Sequence, residues 1–128
     1  MNLVDSSGWL EFFVDGPNAS FFEPALAAKD DLIVPTLALF EVFKVALRER
    51  GEDAAVQAVA AMRQGRVIDM NEEIALRAAR ISLAHRLPLA DSIIAATAAR
   101  CDAEIWTQDR HFEGLPGIHF IPAKKKNA

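Results

Sequence analysis

The chain has 128 residues, 52% of them hydrophobic and 25% charged, with a formal net charge of −4. That length fits one domain able to bury roughly two-thirds of its unfolded surface, and that composition excludes a disordered chain. The acidic balance excludes a protein that coats nucleic acid in bulk, which needs concentrated Lys and Arg, but is compatible with a local patch or with cations held by the chain's own carboxylates.

The first predicted element is a strand at 2–5, "NLVD". Its context, "MNLVDSSGWL", has neither a basic leader nor a long apolar run, so no secretion signal is expected. Residues 6–29 read as a short helix, a "DGPN" turn at 15–18 and a second helix. A second strand, "LIVP" at 32–35, leads into a helix over 36–50 that Gly51 can end. The apolar run through this region, 32–47, is broken by Pro35, Glu41 and Lys44, so it is not a membrane span. A cytoplasmic protein is the expectation.

An Ala-rich helix over 52–64 stops at Gly65, and a third strand, "RVIDM", follows at 66–70. The next helix, 71–86, starts with Asn71 as its cap and two acids in its first turn. Pro88 opens another Ala-rich helix over 89–101, ending at the only cysteine, Cys101. A single cysteine excludes an internal disulfide and a cysteine-based zinc site, and its apolar neighbours mark it as a core residue. A fourth strand, "EIWTQD", occupies 104–109, and a weaker fifth, "IHFIP", 118–122. The domain is expected over 1–123, with a frayed basic tail at 124–128. Strands alternating with helices imply a three-layer α/β/α fold around a mainly parallel sheet of four to five strands. The strand order stays open.

Four acids interrupt apolar sequence: Asp5, Glu41, Asp91 and Asp109. Topology brings them together. Asp5 and Asp109 end strands, so they lie at the carboxyl edge of a parallel sheet, where open α/β folds bind ligands. Glu41 is about five residues into a helix that starts at that edge, about 7–8 Å away. The helix carrying Asp91 must run antiparallel to the fourth strand, which puts its first turn on the same rim. Clustered carboxylates raise one another's pKa. Mg²⁺ or Mn²⁺, which prefer oxygen ligands, would relieve that repulsion, and such a site suits phosphodiester hydrolysis. Ser6, Ser7 and Thr107 are placed to orient carboxylates from behind.

Each acid also has a plainer use. Asp5 can cap the following turn, Glu41 can pair with Lys44, and Asp91 can complement a helix dipole. Their convergence is what favours a site. His111 reads as a loop residue, Arg110 as a solvated side chain or a phosphate contact, and Trp9, Phe12 and Phe13 as core or interface packing. Lys44, Arg48 and Arg50 could form a basic edge, and Lys124, Lys125 and Lys126 a solvated tail.

In these settings, "LVDSSGWLEFF", "LALFEVFKVALR", "LPLADSIIAATAAR" and "IWTQDRHFEGL" resemble the PIN-domain ribonucleases, and most closely the VapC-type toxins of toxin–antitoxin pairs. The resemblance covers 3–121 in family order. It implies that Asp5, Glu41, Asp91 and Asp109 hold Mg²⁺ or Mn²⁺. It further implies an endoribonuclease leaving a 5′-phosphate and a 3′-hydroxyl, a homodimer, an RNA substrate and a cognate antitoxin. The competing readings are a catalytically silent PIN-like module that grips RNA or protein, and another Mg²⁺ enzyme on a doubly wound sheet. The latter fits poorly: a haloacid dehalogenase-type phosphatase needs an Asp two residues after Asp5, where Ser7 stands, and a receiver domain needs a paired acid after the first strand.

Overall fold

The computed structural model describes residues 1–124. The expected tail therefore lies outside the described residues except for Lys124. Five strands form one sheet: β1 Asn2–Val4, β2 Leu32–Pro35, β3 Arg66–Ile68, β4 Glu104–Thr107 and β5 Ile118–Phe120. All four pairings are parallel, in the order β3-β2-β1-β4-β5. Six α-helices connect them: α1 Ser6–Phe13, α2 Ala19–Ala27, α3 Thr36–Arg50, α4 Glu52–Met62, α5 Glu72–His85 and α6 Leu89–Arg100.

Both faces of the sheet are covered, as the apolar strand centres require. Because successive strand residues point to opposite faces, neighbours in sequence enter different cores. Val4, Leu32 and Val34 pack with Trp9, Phe22, Val42 and Met62 on one side. Leu3, Ile33 and Ile105 pack with Ile94, Ala98 and Phe112 on the other. A smaller cluster of Ile74, Ala78 and Ala96 fastens α5 to α6. Gly8 lets α1 sit close to the sheet: a Cβ there would lie 2.6 Å from Val4 Cγ1 and 2.7 Å from Phe22 Cδ1.

The strands end earlier than the sequence suggests. β1 stops at Val4, β3 at Ile68 and β4 at Thr107, so Asp5 and Asp109 stand just past the last strand residue. Each then caps the element that follows. The Asp5 side chain accepts from the Gly8 N–H at the start of α1, and Asp109 from the His111 N–H in the short 3₁₀ turn at Arg110–Phe112. The third strand is also less covered than an interior strand. As an edge strand it leaves Arg66 and Val67 exposed, and a charge at an edge discourages pairing with another chain.

The strand order determines where a ligand would bind. Chain connections leave β1 in one direction along the sheet and reach β4 on its other side, so the order reverses between β1 and β4. The register pairs Val4 with Trp106, and the Asp5 N–H donates to the Trp106 carbonyl at 3.2 Å. The carboxyl ends of β1 and β4, with Asp5 and Asp109 on them, flank that switch point.

Candidate active site

Asp5 is buried, 4% exposed, and its carboxylate is held from three directions. Oδ1 accepts from Ser7 Oγ at 2.7 Å and from the Gly8 N–H at 3.0 Å; Oδ2 accepts from Thr107 Oγ1 at 2.5 Å. Thr107 Oγ1 in turn accepts from the Asp109 N–H at 2.9 Å, so one hydroxyl ties both strand-end acids together. The predicted supporting role of Thr107 thus has a geometry. Ser6 lies instead toward Glu41, and Ser7 supplies the serine hydroxyl on Asp5.

Asp91 occupies the first turn of α6 and Asp109 the loop after β4. Their approach is mediated by a residue that reads as an ordinary loop position. His111 Nδ1 lies 2.8 Å from Asp91 Oδ2 and 3.1 Å from Asp109 Oδ1. Ligand atoms of the three residues all fall within 4.8 Å of one another. The signal was local: Asp109 caps a turn whose second residue is His111, and that turn folds the imidazole back over the cap.

Two of the four predicted acids lie outside that tight trio: Asp5, buried at the end of β1, and Glu41, half-buried on α3. Glu41 forms no ion pair with Lys44, whose ammonium lies 5.7 Å from the centre of the Phe40 ring. The charge of Asp109 reaches both Glu41 and Asp5. Asp109 is therefore the hub of the four acids rather than one corner of a square.

Burial and neighbouring negative charge raise three of the four acids. Burial raises the Asp5 carboxyl to about 6, and the Asp109 charge adds to it, against the opposing hydrogen bonds from Ser7, Thr107 and Gly8. Asp91 is also pushed up to about 6, first by burial and then by Asp109. Burial and Asp109 raise Glu41, while the Ser6 hydroxyl opposes them. Facing these groups, His111 is raised above its usual value by Asp109 and Asp91. Arg110, its neighbour in the chain, turns outward to Glu113 at 3.5 Å. The donor set is carboxylate oxygen with one imidazole, which suits a hard divalent cation of the Mg²⁺ or Mn²⁺ type.

The other candidates fall elsewhere. Trp9 is buried and stacks on Phe13 with ring centres 5.6 Å apart, so it belongs to the core. Phe12 is partly exposed. Arg48 pairs with Glu49 on the surface. Cys101 is a half-buried free thiol packed against the core cluster under α6.

The PIN domain family model matches residues 3–118. No curated protein matches the chain. Among solved structures, the chain is similar to a toxin–antitoxin complex from Klebsiella pneumoniae, with 23% identity, coverage of 93% of this chain and 96% of that one, and a TM-score of 0.80. It is similar to the sarcin-ricin loop cleaving toxin VapC20 of Mycobacterium tuberculosis at 18% identity, covering 91% and 96%, with a TM-score of 0.76. It is also similar to a DNA-bound VapBC complex from Salmonella typhimurium at 18% identity, covering 95% and 98%, with a TM-score of 0.69. At these identities the likeness is one of fold.

Proposed function

The chain belongs to the PIN-domain family, and from that premise we propose that it is a divalent-metal-dependent endoribonuclease, the toxin of a type II toxin–antitoxin pair. The observation that carries the reading is the meeting of Asp91 and Asp109 at the sheet's switch point, with a single exposed histidine between them. An acid cluster serving only solubility would point into solvent. Here Asp5 is buried and Asp91 keeps only 16% of its side chain exposed.

Asp5, Glu41, Asp91 and Asp109 would hold the cation. When bound, Mg²⁺ or Mn²⁺ supplies a Lewis acid for the scissile phosphate and lowers the pKa of an attacking water. The protein's part is orientation. Ser7, Gly8 and Thr107 fix the Asp5 carboxylate with three donors, so its free lone pairs keep one direction. Thr107 couples that direction to the backbone of Asp109. His111, 2.8 Å from Asp91 and 3.1 Å from Asp109, is placed to relay a proton from the attacking water to the leaving oxygen. Hydrolysis adds the water oxygen to phosphorus, breaks the bond to the 3′ oxygen and protonates it, giving a 5′-phosphate and a 3′-hydroxyl.

The toxin role brings two protein partners. The toxin–antitoxin and VapBC neighbours support a cognate antitoxin. A cavity of about 310 Å³ among α1, α3 and α4, walled by Leu10, Phe13, Val45 and Ala58 and edged by Glu49 and Arg50, offers an apolar seat for one. A homodimer is supported by exposed apolar side chains. The most exposed are Leu83 on α5 (87%) and Leu89 on α6 (77%), and the earlier helices add Phe12 on α1 and Phe40 on α3. Among the described residues no helix is long and apolar enough to cross a membrane.

The test is cleavage of a mixed cellular RNA pool by purified protein with Mn²⁺ or Mg²⁺, with EDTA, and with Asp91→Asn. Metal-dependent cuts at defined positions that vanish in the variant support the reading. Folded, metal-loaded protein that leaves RNA intact would move the assignment to a binding module.

A further inference from the structure

The hydrogen bonds around Asp5 do not stop at Ser7. Ser7 Oγ, which donates to Asp5 Oδ1, accepts from the backbone N–H of Gln108 at 3.3 Å. The Gln108 side chain then closes a second link, its Nε2 donating to the Ser7 carbonyl at 3.4 Å. Its Oε1 accepts from Asn18 Nδ2 at 2.9 Å, and the same Asn18 nitrogen donates to the Pro122 carbonyl at 2.9 Å. The Asn18 backbone N–H is fixed separately, on Glu11 Oε2 at 2.8 Å. A continuous polar path thus joins the segment after β5, the turn before α2, the end of β4 and the first turn of α1. It terminates on Asp5.

We propose that Gln108 and Asn18 are positioning residues that hold the Asp5 and Asp109 carboxylates in register for the cation, acting through Ser7. The proposal rests on the metal-site reading above. Three features of the path support it. A serine hydroxyl has one proton. The backbone N–H at 108 donates to Ser7 Oγ, whose proton goes to Asp5, and the Gln108 side chain, held on the Ser7 carbonyl and Asn18, keeps that backbone contact in place. Gln108 also sits between Thr107 and Asp109 in the chain, so pinning its side chain to Ser7 and Asn18 fixes the peptide on which Asp109 is carried. Finally, Asn18 is only 1% exposed, and its Oδ1 has no partner among the described residues. Burying an unpaired amide oxygen is unfavourable. An apolar side chain of similar size would avoid that cost, so the residue's use lies in the two hydrogens that it donates.

Loop stapling alone would affect stability and leave the cation untouched. Calorimetric titration with Mn²⁺ at neutral pH separates the two roles, comparing wild type, Gln108→Met, Asn18→Ala and Asp109→Asn. Gln108→Met keeps length and volume while removing both side-chain hydrogen bonds. It is expected to bind Mn²⁺ about tenfold more weakly, the lower end for an outer partner of a metal ligand. RNA cleavage by the same variant should need correspondingly more Mn²⁺, with kcat at saturating metal within about twofold of wild type. Asn18→Ala should shift the affinity in the same direction; if it does not fold, Gln108→Met decides alone. Wild-type Mn²⁺ affinity in Gln108→Met, alongside lost binding in Asp109→Asn, would overturn the positioning role and leave the metal site standing. Unchanged binding in Asp109→Asn would instead overturn the metal site itself, and this proposal with it.

Discussion

Two charged clusters in this protein have opposite surroundings. Glu73, on the outer side of α5, has Arg100 at 2.8 Å and Arg77 at 3.7 Å, and all three side chains are well exposed. Asp91 and Asp109, at the switch point, share one histidine and lie beside two further acids that burial has raised. In the first cluster charge is matched and water screens the remainder, so the pairs contribute little. In the second, negative charge is gathered where solvation is poor, with a single imidazole against it. Such an arrangement disfavours the bare fold, and the proposed cation site would account for the contrast.

The largest effect that should separate the two clusters is catalytic. Asp91→Asn or Asp109→Asn is expected to lower RNA cleavage at least about a hundredfold, whereas Glu73→Gln leaves it unchanged, as read by gel assay under saturating Mn²⁺. Loss of cleavage in Glu73→Gln as well would remove the distinction.

Next in size is the response of stability to metal. A cation that binds only the folded state at a hundred times its dissociation constant stabilises it by about 2.7 kcal/mol. Thermal melts should therefore rise by several degrees with Mn²⁺ in wild type, and should not move in Asp109→Asn. In the metal-free state that variant is expected to melt a few degrees above wild type, because it removes repulsion.

The pH dependence sharpens the same point. Asp5 and Asp91 have folded pKa values near 6 against an ordinary 3.8, so the folded state binds more protons than the unfolded state between those limits. Stability of the metal-free protein should therefore grow as pH falls from 7 toward 4, by an amount on the order of 3 kcal/mol from the buried Asp5. His111 acts in the same direction: its pKa is raised, and the stability it contributes is lost as pH rises through that raised value. Urea denaturation at several pH values checks the sign, and Asp5→Asn should flatten the curve. A metal-free protein that weakens steadily on acidification from pH 7 would contradict it. The smallest effect is at the matched cluster, where Glu73→Gln should cost about 0.5 kcal/mol and lose that cost in high salt.

Much of this was legible in the sequence because it depends on local pattern. Short β-branched runs alternating with helical periodicity gave the parallel sheet, and each of the four acids stood out against apolar neighbours. The boundaries were less legible where a residue serves two elements: Asp5 and Asp109 read as strand ends because capping leaves no mark distinct from a polar strand terminus. The contact of His111 with Asp91 was not legible because it comes from a turn that folds the imidazole onto a helix twenty residues earlier in the chain. Gln108 and Asn18 were invisible, since the contact between them spans ninety positions and neither type stands out in its own stretch. The exposure of β3 required the strand order, which comes from tertiary pairing alone.

The measurement that tests the central claim most directly is Mn²⁺ binding to the intact protein, with and without the hub carboxylate. Wild type should bind Mn²⁺ at a site that Asp109→Asn abolishes, while Glu73→Gln binds as wild type does. Equal binding by wild type and Asp109→Asn would mean that the rim acids do not form the cation site.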